Sequence, residues 1–430
     1  MRVVILGSGG REHALARALA RDPGVSQLHV APGNAGTAQI AENHPVEVAD
    51  PAAVAAMAKR LTPGGSGLVI IGPEVPLVAG VADAVRQQGI ACFGPGAKAA
   101  RIEGSKAFAK EVMAAAGVPT AAARVCETPS DVAEALDHFG PPYVVKDDAL
   151  AAGKGVLVTP DRAAAQAHAR TCGRVVIEEF LDGPEVSLFA LCDGTAVLPL
   201  IPAQDFKRAH DGDEGPNTGG MGAYTPLTWA PDGLIEEVTA RVIQPTVGEM
   251  RRRGIPYQGL LYAGLSLTSR GVRVVEFNAR FGDPETQVVL DRLVTPLAGL
   301  LHAAAIGALG GAQAPQWAPG AAVTVVLAAE GYPGRTVTGD VIEGLEDTKR
   351  LPRAYVLHAG TSRDGAGRVV SSGGRVLNLV GTGPDLAAAR TAAYEAARAI
   401  RMRGGWYRTD IAERAAGVAR GASPAGSGTA

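Results

Sequence analysis

From residue 1 to about 100 the chain alternates short apolar runs with segments of helical spacing. The runs fall at 3–6, 27–31, 46–49, 68–71 and 90–93, and between them a stretch such as 12–21 places Ala14, Leu15, Ala18 and Leu19 on one side. Strands alternating with helices predict an open, largely parallel α/β sheet. Each run ends in a glycine- or proline-rich turn: Gly7-Ser8-Gly9-Gly10-Arg11, Pro32-Gly33-Asn34-Ala35-Gly36, Gly72-Pro73-Glu74 and Gly94-Pro95-Gly96. In such sheets ligands bind beyond the carboxyl ends of the strands, so these turns are expected to line one crevice.

Beyond residue 100 the pattern changes to α+β. A helix is expected over 105–116. Strands are expected at 143–146 and 155–158, joined through Ala151-Ala152-Gly153-Lys154-Gly155, and a third at 174–180. Further on come a strand at 185–192, a long polar loop over 204–226, a helix around 233–253, and strands at 260–267 and 272–277. Residues 307–320 are rich in Gly, Ala and Pro and read as a boundary. A smaller β-rich unit follows over 321–411, with its helix at 387–401.

Length and charge narrow the possibilities. At 430 residues the chain exceeds one ordinary core, and 47% hydrophobic with 20% charged residues fits a soluble multidomain protein. A net charge of -2 offers no basic surface for nucleic acid. Cys92, Cys126, Cys172 and Cys192 form no CxxC pair, which speaks against a disulfide framework or thiolate zinc and for a reducing cytoplasm. No apolar stretch reaches the ~18 residues of a membrane span. The histidines, His13, His29, His44, His168 and His210 among them, show no ligand spacing, so no histidine metal site is expected.

The strongest chemical signal is Val275-Glu276-Phe277-Asn278-Ala279-Arg280-Phe281-Gly282-Asp283-Pro284-Glu285. Side chains at i and i+2 of a strand share a face, so Glu276 and Asn278 present two hard oxygens side by side, a foothold for nucleotide-bound Mg2+. Lys146 ends an apolar strand and needs a partner if it faces inward; a phosphate would serve. The loop at 151–155 is not a Walker A motif, because Asp148 and Gly155 stand where that motif needs glycine and Ser or Thr. It reads as a flap closing over triphosphate oxygens, or as a plain hairpin with a solvated lysine. Glu178-Glu179-Phe180-Leu181 ends another strand and could supply an adenine-holding edge, apolar walls and a carboxylate. Taken singly, Lys146 and the glutamate pair read more readily as solvated strand ends than as a site; their joint occurrence shifts the balance. The glycines of Gly215-Pro216-Asn217-Thr218-Gly219-Gly220-Met221-Gly222 would let backbone amides approach an anion. The first turn has Glu12 where a dinucleotide fingerprint needs glycine, which argues against a nicotinamide and for a single phosphate or carboxylate held by Arg11 and the helix start.

Together these segments resemble the glycinamide ribonucleotide synthetase (phosphoribosylamine–glycine ligase) family of ATP-grasp enzymes, from Met1 to about Ile411. The most specific stretches are Gly9-Gly10-Arg11-Glu12-His13-Ala14, Pro32-Gly33-Asn34-Ala35-Gly36-Thr37, Gly72-Pro73-Glu74, the glycine loop at 215–224 and Arg280-Phe281-Gly282-Asp283-Pro284-Glu285-Thr286-Gln287. The resemblance implies an N-terminal α/β substrate domain (1–100), an ATP-grasp core (101–310) with a mobile lid at about 120–184, a C-terminal β-rich domain (321–415) and a disordered tail (416–430). It implies ATP as co-substrate, Mg2+ or Mn2+, and glycine and 5-phosphoribosylamine as partners of a monomer or weak oligomer. Implied roles are Lys106, Lys146, Gly153, Lys154 and Gly155 around the phosphates, and Glu178, Glu179, Phe180, Leu181 and Glu185 at the nucleoside. Glu276 and Asn278 would hold the metal. Asp213, Gly219, Gly220 and Arg280 would meet glycine and its acyl phosphate, and Gly9, Gly10, Arg11, Glu12, Asn34, Gly72, Pro73 and Glu74 the phosphoribosylamine. Members of the family read Lys-Ala-Asp-Gly where this chain has Lys146-Asp147-Asp148-Ala149, a departure that removes a glycine's access to positive φ. A non-catalytic ATP-binding sensor and another ATP-grasp carboxylate–amine ligase remain the alternatives.

Overall fold

The computed structural model describes residues 1–149 and 155–421. The first sheet contains β1 (Arg2–Gly7), β2 (Gln27–Pro32), β3 (Glu42–Asn43), β4 (Gly67–Ile71) and β5 (Ala91–Phe93), all parallel, in the order β3-β2-β1-β4-β5. β4 is buried along its whole length, as a parallel strand covered on both faces must be. Strand order reverses between β1 and β4, so the turns after these two strands open onto one crevice. The strand expected at 46–49 does not form. Pro45 cannot donate to a ladder, and the chain turns there to let Asp50 cap the helix Pro51–Leu61 through the Ala52 and Ala53 amides. The edge strand is instead the two-residue β3.

A domain boundary at 100 would cut the helix Ala97–Gly104. The helix Lys106–Ala116 follows, capped by the Ser105 hydroxyl and stopped by Gly117 at φ 67°. Next comes an antiparallel sheet of β6 (Ala123–Cys126), β7 (Tyr143–Asp147), β8 (Val156–Thr159) and β9 (Val175–Glu178), ordered β6-β9-β7-β8. The helices Pro129–Phe139 and Arg162–Thr171 flank it. Leu136, Tyr143, Val145, Ala165 and Ile177 give this unit a small core of its own.

The stretch expected as a loop at 204–226 is more structured than its polarity suggests. After β10 (Glu185–Asp193) and β11 (Val197–Pro199), it forms β12 (Gln204–Asp205), the hairpin of β13 (Arg208–His210) and β14 (Glu214–Asn217), and β15 (Gly222–Thr225). β15 is fully buried and pairs with β18 (Ala321–Ala328), so distant pairing overrides local composition. β10 and β11 continue into β16 (Gln258–Thr268) and β17 (Gly271–Asn278), in the order β11-β10-β16-β17. The helix expected at 233–253 is interrupted by a π turn at Thr239–Ile243, beside Pro245, whose missing N–H breaks the regular ladder.

The C-terminal sheet is therefore shared between chain segments. β18 is followed by β19 (Ala354–His358), the hairpin of β20 (Thr361–Arg363) and β21 (Val369–Ser371), and β22 (Arg375–Gly383), giving the order β12-β15-β18-β22-β19. The helix Leu386–Ala399 packs on β22 and β18. The tail expected from 416 begins inside the helix Glu413–Gly421, which the buried Ala415 and Ala416 anchor. Among the described residues, no helix is long and apolar enough to cross a membrane.

Candidate active site

β17 brings Glu276 and Asn278 to one face of its strand, opposite Gly264 and Tyr262 of β16. A β-carbon at Gly264 would stand 3.3 Å from Glu276 Cγ, so glycine leaves the carboxylate room. Burial pushes the Glu276 carboxyl up, but Lys207, Lys146, Lys106 and Arg280 outweigh it and hold it below the usual glutamate range. Lys207 forms an ion pair with Glu185 and also faces Asp205 and Glu276; these carboxylates raise its pKa against the effect of burial. Asp205 is pushed up to about 7 by burial, then by Glu285 and Glu185, with Lys207 opposing. One ammonium thus faces three carboxylates beside an amide oxygen. The hard-oxygen pair of Glu276 and Asn278 fits a divalent cation of the magnesium class, and the surrounding cations suit the phosphates that would accompany it.

Glu178, at the end of β9, holds two lysines: Lys146 Nζ at 2.8 Å and Lys110 Nζ at 3.1 Å. Lys146 also donates to the Val275 carbonyl at 3.0 Å, one residue before Glu276. Lys110 reaches Thr120 Oγ1 and the Ala121 carbonyl, and burial lowers its pKa. Glu179 accepts from the Ala122 amide and pairs with Arg270, while Phe180 is exposed. Both glutamate carboxylates are therefore committed within the protein. Lys106 Nζ donates to the Ala149 carbonyl at 3.1 Å. Gly153 and Lys154 lie outside the described residues; Gly155 accepts from the Asp147 amide at 2.8 Å. Asp148 receives Ser105 Oγ, the Ala107 amide and Arg174 Nε, which fixes the loop's near end to the start of the helix Lys106–Ala116. Among the described residues, Asp213 and Ala412 are the non-glycines at positive φ, so Ala149 does not need glycine's freedom here.

Across the crevice, Glu12 lies in a cradle of glycines. β-carbons at Gly7, Gly9 and Gly72 would come 2.6, 2.8 and 2.0 Å from its side-chain atoms. It accepts from the Gly9 amide at 2.5 Å and from Arg11 Nη1 at 3.1 Å, and burial raises its pKa. Arg11 Nη1 also reaches the Gly72 carbonyl at 3.0 Å, while its buried Nε has no partner among the described residues. A β-carbon at Gly10 would strike Asn378 Nδ2 at 2.2 Å. Arg280 joins the two halves of the site: it pairs with Glu103 at 3.0 Å and with Glu74, beside Pro73, at 3.3 Å. Burial would raise the Glu74 pKa, but Arg280 and Arg11 overcome it and leave it lowered. Asn34 organises its own turn, donating to the Ser8 and His358 carbonyls and accepting from the Gly36 and Thr37 amides.

The glycine loop is tied in by Arg375, which donates to the Gly219 carbonyl at 2.5 Å and the Asp283 carbonyl at 2.6 Å. The Gly219 and Gly220 amides are taken by Tyr332 Oη and Thr218 Oγ1. Gly220, at φ 106°, has no space for a side chain, because Pro284 Cδ would lie 2.5 Å from a β-carbon. Asp213 is held by the buried Arg408 at 2.9 Å, so its ion pair runs to the C-terminal unit. The sequence reading missed Asp205, Lys207, Lys110, Glu103, Asp283 and Arg375. The first two stood in the stretch read as a long polar loop; that Lys207 faces Glu276, with Asp205 beside Lys207, depends on β12 pairing with β15.

Family models match in three consecutive blocks: phosphoribosylglycinamide synthetase N domain over residues 1–103, its ATP-grasp (A) domain over 104–286, and its C domain over 322–414. The phosphoribosylamine–glycine ligase of Streptomyces coelicolor is 64% identical over 97% of this chain and 100% of its own length. A crystal structure of the Thermotoga maritima phosphoribosylamine–glycine ligase superposes with TM-score 0.82 at 36% identity, covering 96% of this chain and 100% of that one. The biotin carboxylase domain of Hydrogenobacter thermophilus 2-oxoglutarate carboxylase, solved with MgADP and bicarbonate, shares the fold at TM-score 0.68 and 17% identity, covering 94% of this chain and 91% of that chain. With three family models tiling most of its length, this chain belongs to the phosphoribosylglycinamide synthetase family.

Proposed function

We propose that this protein joins glycine to 5-phosphoribosylamine at the expense of ATP, giving glycinamide ribonucleotide, ADP and phosphate, in cytoplasmic purine synthesis. The observation that carries the reading is the junction at Arg280. It places an oxygen-donor strand end ringed by lysines directly beside the arginine-lined crevice of the first sheet. A nucleotide and a phosphorylated amine can then lie side by side.

In this reading a glycine carboxylate oxygen attacks the γ-phosphorus and ADP leaves. The amine of phosphoribosylamine then attacks the acyl carbon of glycyl phosphate, and phosphate departs with the bridging oxygen. The protein supplies position and charge rather than covalent chemistry. Lys146, Lys106 and Lys207 surround the phosphates, Lys154 is assigned to them from the sequence alone, and Glu178 keeps Lys146 and Lys110 in place. Phe180 and Leu181 flank the base, and Glu185 orients Lys207. Glu276 and Asn278 would hold the divalent cation, which when bound would neutralise phosphate oxygens. Arg280 receives the glycine carboxylate. The unpartnered Arg11 Nε and the start of the helix Gly10–Leu19 receive the ribose phosphate. Glycine labelled with oxygen-18 in its carboxylate should place one label in the released phosphate. Unlabelled phosphate would overturn the acyl-phosphate route.

The raised Asp205 carboxyl gives a pH prediction. Below about 7 it is largely protonated in the free protein. A divalent cation at Glu276 would favour its ionised form, so Mg2+ binding in the absence of nucleotide should release up to one proton at pH 6.5 and tighten from pH 6 to 8. Calorimetry in buffers of different ionisation heat reads this directly. In Asp205→Asn the release should vanish; proton uptake by the parent would contradict the assignment.

A further inference from the structure

Contrary to the expectation from histidine spacing, His29, Glu42 and His44 come together at the open edge of the first sheet. β2 and β3 pair in parallel with His29 opposite Glu42, and the His44 amide donates to the Val30 carbonyl at 2.8 Å. Glu42 and His44 are two residues apart and share a face of the chain, so all three side chains converge on one side of the sheet. His29 Nδ1 lies 3.0 Å from His44 Nε2, the Glu42 carboxylate lies 3.4 Å from His29 Nδ1, and it lies 3.7 Å from His44 Nε2. Among the described residues this is the group of three such ligands whose donor atoms all lie within 4.8 Å of one another.

From this geometry we propose that His29, Glu42 and His44 form a binding site for a divalent cation of the zinc class, separate from the oxygen-ligand site at Glu276. Zinc–ligand bonds of about 2.0–2.1 Å in tetrahedral arrangement put donor atoms about 3.3–3.4 Å apart, close to the triangle seen here. Two imidazole nitrogens and one carboxylate oxygen suit zinc rather than magnesium, and leave a fourth position to solvent. The imidazole side chains are about nine-tenths buried, while Glu42 is 68% exposed, so a cation can enter past the carboxylate without disturbing the core. Burial lowers the His29 pKa, with His44 and Arg2 acting in the same direction and Glu42 against, which keeps a neutral lone pair available near pH 7. Arg2 is a nearby cation that opposes binding. β3 is only two residues long, and its other residue, Asn43, donates to the Asn34 carbonyl and accepts from Thr37 Oγ1. A cation joining β3 to β2 would therefore brace the turn that Asn34 organises, and would act structurally rather than in the reaction.

The test uses metal-stripped full-length protein titrated with Co2+ in excess Mg2+, followed by Zn2+ competition. The expected result is one equivalent of Co2+ giving the intensified visible bands of a four-coordinate ion, displaced by Zn2+ and retained in Glu276→Ala. His44→Gln should lose the bands. Because Glu42 is exposed, Glu42→Gln should fold normally and weaken binding by about tenfold or more. Absence of stoichiometric bands in the parent, or unchanged affinity in folded Glu42→Gln, would overturn the proposal and leave a hydrogen-bonded histidine pair only.

Discussion

Glu276→Ala should lower kcat on the order of 10²–10³-fold, the usual cost of removing one preorganised electrostatic group, with the thermal midpoint close to the parent. The stability expectation follows from the setting of the side chain. It faces four cations and a glycine, not a packed core, and of these Lys207, Lys146 and Arg280 keep other carboxylate partners after the change. The kinetic expectation follows because no other described carboxylate shares a strand face with Asn278 at this spacing. Activity within a few-fold of the parent at saturating Mg2+ would remove Glu276 from the metal assignment. An aspartate replacement, which keeps the charge but shortens the reach, should recover only part of the loss.

Arg280→Ala should destabilise the fold by about 3–5 kcal/mol, because it strands buried carboxylates. The Arg280 side chain is mostly buried and pairs with Glu74 and Glu103, and Glu103 is already raised by burial even with this partner. Adding Glu103→Gln to Arg280→Ala should restore part of the stability by removing the orphaned charge, while leaving activity low because the arginine is still missing. Urea denaturation of the parent and both variants measures the pair. A loss under about 1 kcal/mol in Arg280→Ala would mean that water solvates these carboxylates, and that the arginine is not the bridge between the two halves of the site.

Much of this arrangement was legible before folding wherever the signal is local. β17 and its Glu276–Asn278 face follow from the period of an extended chain, and the turns after β1 and β4 follow from the strand–turn–helix rhythm of a parallel sheet. The helix Lys106–Ala116 announces itself through Ser105 and Gly117. What escaped depends on pairing between distant segments. β15 looks like a glycine-rich loop until β18 buries it, and only then does Lys207 reach Glu276. The role of Glu178 as a holder of lysines needs Lys110 from a helix in another part of the chain. The His29–Glu42–His44 cluster arises from the parallel register of β2 and β3, which no short spacing rule encodes. Pro45 was the visible warning that the run at 46–49 would not become the edge strand.

The most direct test of the central claim is ADP release by the purified protein with Mg-ATP and glycine, with and without phosphoribosylamine generated in the assay, while the amide product is followed by mass. Release should require all three substrates and yield the mass of glycinamide ribonucleotide. ATP binding with no turnover under those conditions, or an amide formed from a different carboxylate, would contradict it.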